Sequence, residues 1–178
     1  MELRDLNLFL IGFMGAGKSY VGKRLAQALE LRFVDLDEWI VTQSGRSIPE
    51  LFAQRGEAGF RAVERNALHH LPAQKGLLVA CGGGTPCFHD NMEWINERGI
   101  SIFLNASSEL LVRRLLPETE QRPLLAGKGE EELRTFLTTK LAERRPHYEK
   151  AQVHYRLETG REDVVEELRW ELVNIVGH

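Results

Sequence analysis

Cysteine is nearly absent: Cys81 and Cys87 are the only two in 178 residues. Two are too few for a disulfide framework and lack the ligand spacing of a zinc site, and they fit a reducing, cytoplasmic setting. No apolar run approaches the roughly 20 residues that a membrane-spanning helix needs. The opening MELRDLN has neither the apolar core of a secretory signal nor an arginine-rich transit pattern. Neither sign of charge dominates, because 23 Lys+Arg stand against 26 Asp+Glu for a net charge of −3. That balance gives no electrostatic reason to invoke nucleic acid or an anionic membrane, so an anionic ligand must be met by local arginines. Repeats, low-complexity tracts and an interdomain linker are also missing. The length suits one well-buried core, hence one domain over residues 1–178; separately, the chain is expected to be a monomer.

What is present is alternation. Apolar strand candidates at Leu6–Ile11, Arg32–Val34, Leu77–Ala80, Ile100–Leu104 and about His154–Leu157 are separated by helical patterns. Such a chain predicts an α/β fold, a three-layer α/β/α sandwich around a central five-stranded parallel sheet. Ligands of such sheets bind beyond the carboxyl ends of the strands, which directs attention to the residues following each one. The stretch Pro117 to Gly129, PETEQRPLLAGKG, breaks two helical patterns with prolines, glycines and charges and reads as a mobile flap.

After the first strand, Gly12 to Ser19 spell G-x-x-x-x-G-K-S, followed by a helix with Val21, Leu25, Ala28 and Leu29 at helical spacing. Strand, loop and helix in that order are the context of a phosphate loop. Glycines let backbone N–H groups turn inward, and the helix start adds unpaired N–H groups and its positive dipole end. Lys18 supplies a mobile charge for the β and γ phosphates, and Ser19 is placed to offer its hydroxyl to Mg²⁺. A nucleoside triphosphate is the expected ligand.

Asp35 and Asp37 follow the second strand at the same sheet edge. If the chain stays extended there they share a face, one near the metal and one near a substrate hydroxyl; either could instead cap the helix through Glu38, Trp39 and Ile40. The third strand runs into Cys81 and glycines with no acid, which shifts the metal role to Asp35. Arg61 and Glu64 are three apart on a helix, so the acid can orient the guanidinium toward a carboxylate, although a plain surface ion pair fits the same spacing. Gly82, Gly83 and Gly84 let backbone approach a small ligand, or form a tight turn. Arg144 lies near the end of a helix beginning around Glu130, where a cation also complements the helix dipole.

Taken together, GFMGAGKS, DLD, GEAGFRAVE, CGGGTP, RPLL and RRPHY occur in the order and approximate spacing of the shikimate kinases, and the sequence resembles that family from Leu6 to about Val165. The resemblance implies a P-loop fold of the nucleoside-monophosphate-kinase-like type and ATP-dependent phosphorylation of the 3-hydroxyl of shikimate. It further implies that Gly15, Ala16, Gly17, Lys18, Ser19 and Tyr20 cradle the ATP phosphates and that Ser19 and Asp35 serve Mg²⁺. Asp37 would bind the reacting hydroxyl as base or orienter, and a segment of about residues 35–64 would hold shikimate. Arg61, the glycines 82–84 and Arg144 would complete that site, the two arginines gripping the carboxylate in bidentate fashion. Arg122 resembles a lid arginine, with the lid spanning about 113–129, while Arg114 and Arg161 fall near positions that pack on adenine. Three features depart from the common pattern: Tyr20 after the magnesium serine, Cys81 before the glycines, and the acidic PETE in the lid. A kinase of another hydroxy acid such as gluconate, or a non-catalytic ATP-dependent regulator, would share much of this pattern.

Overall fold

A computed structural model of the chain describes residues 3–72, 75–122, 124–158 and 163–177. Five strands, β1 (Leu8–Ile11), β2 (Arg32–Asp35), β3 (Leu77–Ala80), β4 (Ile100–Ala106) and β5 (Val153–Leu157), form one parallel sheet in the order β2-β3-β1-β4-β5. The inner strands β1 and β3 are buried at every residue, as expected of parallel strands covered on both faces, whereas the edge strand β5 alternates buried and exposed.

Among the described residues, seven helices connect and cover the sheet: α1 (Lys18–Ala28), α2 (Leu36–Ser44), α3 (Ile48–His69), α4 (Asn91–Arg98), α5 (Ser108–Leu115), α6 (Glu130–Tyr148) and α7 (Val164–Val176). The chain runs outward from β1 to β2, returns to β3 beside β1, then crosses to β4 on the other side. With right-handed crossovers this reversal puts α1 and α7, which pack together, on one face and α3 and α4 on the other. It also makes the carboxyl end of β1 the topological switch point, where a crevice opens.

Local signals set the helix ends that matter to that crevice. Gly17, left-handed at φ 89°, caps α1, and a side chain there would be strained. Ser47 and Glu50 form a capping box at the start of α3. That helix is broken at Gly56, whose φ of 65° and ψ of −177° re-aim the second half, carrying Arg61 and Glu64 inward. After α5 the chain forms a short 3-10 segment, Leu116–Gln121, and returns through Leu125, which is fully buried. Among the described residues no helix is long and apolar enough to cross a membrane.

The strands lie where the apolar runs predicted, with shifted ends. Leu6 closes a turn by donating its N–H to the Leu3 carbonyl, and the Asn7 side chain accepts from the Leu77 N–H, so β1 begins at Leu8. β4 extends to Ala106 because Asn105 and Ala106 pair with Arg156 and Leu157.

Candidate active site

A cleft of about 920 Å³ lies at the switch point, within the range of small-molecule sites. Its floor is the loop from Met14 to Tyr20, and Asp35, Asp37, Cys81, Gly82 and Gly83 form one wall. Arg114, Glu118 and Arg122 lie on another side, with Leu157, Val164 and Val165.

The loop holds its own lysine in place. Lys18 Nζ donates to the carbonyls of Gly12 and Phe13, both at 2.9 Å. Burial lowers its pKa to about 8, opposed by the charges of Asp37 and Asp35. A phosphate bound in the cleft would supply the counter-charge that keeps it protonated. Arg114 donates to the carbonyls of Gly15 (3.1 Å) and Ala16 (3.0 Å), fastening α5 to the loop. Tyr20 points outward, 62% exposed, with the Arg24 guanidinium 3.8 Å from its ring center. Arg161 lies outside the described residues.

The DLD segment corrects one expectation. The chain does not stay extended past the strand: β2 ends at Asp35, and Asp37 lies in the first turn of α2, so the two acids do not share a strand face. Asp35 caps that helix, its Oδ1 accepting from the N–H groups of Asp37 (3.1 Å) and Glu38 (3.3 Å). Its Oδ2 simultaneously accepts from the Ser19 hydroxyl at 2.5 Å. Capping and a cleft role therefore coexist in one side chain. Among the described residues no cluster of three His, Cys, Asp or Glu side chains could cage a metal. A carboxylate and a hydroxyl beside a phosphate loop instead fit Mg²⁺ held through one or two protein oxygens, waters and substrate phosphates.

Asp37 projects from α2 toward the glycine turn. Burial, with added repulsion from Asp35 and Glu64, raises its pKa to about 6, against the pull of Lys18 and Arg61. A carboxylate of that basicity, disfavoured as an anion by its surroundings, is a competent acceptor for a hydroxyl proton near neutrality.

The triple glycine threads between charged side chains. A Cβ on Gly82 would lie 3.2 Å from Asp37 Oδ1 and 3.1 Å from Glu64 Oε1, one on Gly83 3.4 Å from Arg144 Nη1, and one on Gly84 2.6 Å from Arg61 Nη2. Side chains here would push apart the groups that the turn gathers. Arg61 is 8% and Glu64 1% exposed. Arg61 Nη1 donates to Glu64 Oε2 at 2.9 Å, Thr85 Oγ1 to Glu64 Oε1 at 2.7 Å, and Asn91 Nδ2 to the Thr85 carbonyl at 2.9 Å. So the Arg61–Glu64 pair is a buried network and not a surface ion pair. Phe88 packs 4.1 Å under the guanidinium carbon, and the buried Nε of Arg61 has no partner among the described residues. Arg144 rests on Phe13, 5.0 Å from the ring center, with no ion pair among the described residues. Tyr148, fully buried, donates its hydroxyl to the Gly83 carbonyl at 2.5 Å, fixing the turn from the opposite side.

Thr85, Phe88, Asn91, Tyr148 and Phe13 belong to this constellation without having stood out singly in the sequence, and Glu118 stood out only as part of the acidic PETE. Thr85, Tyr148 and Phe13 at least sit inside the CGGGTP, RRPHY and GFMGAGKS motifs; Asn91 and Phe88 carry no local signal. Both cysteines are chemically quiet: burial pushes the Cys87 thiol up to about 11 and the Cys81 thiol higher still, so neither is a thiolate near neutrality.

A phosphate-loop cleft with a basic carboxylate on its wall, and two arginines gathered at the adjoining glycine turn, defines a small-molecule kinase of the phosphate-loop class. Comparison with known proteins gives the family. Residues 14–172 match the family model described as shikimate kinase. The shikimate kinase of Bacteroides thetaiotaomicron is 45% identical over 147 residues, covering 83% of this chain and 84% of that protein. A crystal structure of shikimate kinase from the same organism superposes with a TM-score of 0.88 at 40% identity, covering 97% of this chain and 99% of the other. The Acinetobacter baumannii shikimate kinase in complex with shikimate superposes with a TM-score of 0.78 at 35% identity, over 96% of this chain and 92% of that one. The chain belongs to the shikimate kinase family.

Proposed function

We propose that the protein transfers the γ-phosphoryl group of ATP to the 3-hydroxyl of shikimate, giving shikimate 3-phosphate and ADP on the route to chorismate and the aromatic amino acids. The observation that carries this proposal is the convergence of Asp37, Arg61 and Arg144 on the glycine turn at the end of the phosphate-loop cleft. Shikimate is a small monoanion with three hydroxyls, so a site for it needs guanidinium at one end and a carboxylate at the other. Arg144, with no ion pair among the described residues, and the Nη2 end of Arg61, whose contact with Glu57 is long at 3.4 Å, take the acid group. The backbone of Gly82, Gly83 and Gly84 approaches the ring, and Asp37 accepts the hydrogen bond of the reacting hydroxyl.

As the bond from the hydroxyl oxygen to γ-phosphorus forms, the bond from phosphorus to the β–γ bridging oxygen breaks, and the hydroxyl proton passes to Asp37. Lys18, the N–H groups of residues 15–20 and Arg122 balance the charge on the transferring group. Mg²⁺, held by Ser19 and through water by Asp35, would neutralise phosphate charge and fix its orientation. Residues 113–129 act as a lid that closes Arg122 over the nucleotide and excludes water, which would otherwise accept the phosphoryl group. Arg114 supports the loop from below and borders the adenine side. We further take the protein to act as a monomeric, single-domain enzyme of the cytoplasm.

The test is ADP release from Mg²⁺-ATP with shikimate, quinate, gluconate or a nucleoside monophosphate as acceptor. Release with shikimate and background rates with the others is expected. Release with another acid in place of shikimate would overturn the substrate assignment, and absence of release with every acceptor would overturn the activity.

A further inference from the structure

The acidic lid has a specific partner. Glu118 Oε2 accepts from Arg122 Nη2 at 2.6 Å and from its Nε at 3.0 Å. Both side chains line the cleft that also contains Gly17, Lys18 and Ser19. They remain accessible, 40% exposed for Arg122 and 46% for Glu118, so the pair can open without a desolvation barrier. The Nε–Nη2 edge of a guanidinium is one of the edges with which arginine grips a planar carboxylate or two phosphate oxygens. Glu118 thus occupies one of the two edges with which Arg122 can grip a nucleotide phosphate.

The geometry points to Glu118 as a positioning residue that holds Arg122 at the cleft wall and yields it to a phosphate of the bound nucleotide. This rests on the proposed kinase activity, in which Arg122 closes over the transferring group. Glu118 and Arg122 are four residues apart across the 3-10 segment and the lid's return, so the hold orders the lid backbone as well as the side chain. Exchange of carboxylate for phosphate replaces two hydrogen bonds that converge on one Glu118 oxygen with bonds to phosphate oxygens and swaps one anion for another. The nucleotide must compete with Glu118, and binding is weakened by the strength of an exposed pair, a factor of about two to five.

The direct experiment is calorimetric titration of the full chain with the non-hydrolysable ATP analogue AMP-PNP and Mg²⁺. Wild type, Glu118→Gln, Arg122→Ala and the double variant are compared. Glu118→Gln is expected to bind about two- to fivefold more tightly than wild type, and the same change in the Arg122→Ala background to have no effect. An equal gain in both backgrounds would mean that Glu118 acts only by through-space repulsion, which overturns the positioning role. Unchanged affinity in Glu118→Gln overturns it as well. If Glu118→Gln does not fold, Glu118→Ala replaces it in the same cycle. The outcome is separable from that of the proposed activity: failure of shikimate-dependent ADP release in wild type refutes the acceptor, while the titration still decides whether Glu118 competes for Arg122.

Discussion

Replacing Glu64 by glutamine changes one atom and removes one charge, yet it should be among the costliest single substitutions at the site. The carboxylate accepts from Arg61 on one oxygen at 2.9 Å and from Thr85 on the other at 2.7 Å, at 1% exposure. An amide keeps one oxygen for Arg61 and can donate its NH₂ to the Thr85 hydroxyl once that hydroxyl rotates, so the loss is chiefly the buried counter-charge to Arg61. Removing one partner of a buried charge pair costs about 3–5 kcal/mol. Glu57, 3.4 Å from Arg61 Nη2, offers an alternative acceptor, which argues for the lower end, about 3 kcal/mol. For a chain of this length each kcal/mol lowers Tm by roughly 2–4 °C, so a fall of about 6–12 °C is expected by calorimetry. Excess shikimate should recover part of the loss, because its carboxylate restores a counter-charge to Arg61, while its KM rises. Thr85→Val tests the network: combined with Glu64→Gln it should cost less than the two separate losses added, since both act on the same bond. A Tm within about 2 °C of wild type would refute the buried-network account.

Further outcomes are expected at Asp37, Arg144 and Gly22. Because Asp37 has its pKa raised to about 6 and must be ionised to accept the hydroxyl proton, kcat/KM for shikimate should rise with unit slope as pH increases through about 6 and then level; a flat profile from pH 5 to 8 would remove it as the base. The same shift lies above the unfolded value of about 3.9, so between about pH 4 and 6 the folded chain keeps a proton that the unfolded chain releases, and this group lowers stability as pH rises. Asp37→Asn should therefore cut turnover by roughly 10²–10⁴-fold while its Tm at pH 8 equals or exceeds wild type, and a clear Tm loss would contradict that sign. Arg144→Ala should weaken shikimate binding by about 2–5 kcal/mol with ATP affinity little changed, and an unchanged KM for shikimate would reduce Arg144 to a helix-end cation. Gly22→Ala in α1 would gain about 1 kcal/mol of helix propensity, but its Cβ would stand 2.6 Å from Phe33 Cε2, so net destabilisation of about 1–3 kcal/mol should appear as a lowered denaturation midpoint.

Much of the molecule was legible in the sequence because its signals are local. A buried parallel strand reads as a continuous apolar run, and Leu77–Ala80 was located to the residue. The phosphate loop is specified by contiguous residues whose roles depend on backbone freedom and a helix start, both properties of neighbours in the chain. Strand ends were less legible, since the length of β4 depends on its pairing with β5, some fifty residues away. The DLD segment shows the same limit: the pair of acids was evident, but whether the chain stayed extended or turned into a helix at Leu36 was decided by Asp35 satisfying both the helix N-terminus and Ser19. Only the tertiary structure brought Tyr148 to Gly83, Arg114 to Gly15 and Thr85 to Glu64, and only it revealed that Glu118 claims Arg122. The sequence by itself determined the layered α/β class, the phosphate loop and the supply of arginines and carboxylates. The tertiary structure decided which of those charges are buried, which are paired and which are free to bind, because desolvation and hydrogen bonding depend on groups that meet only after the chain has folded.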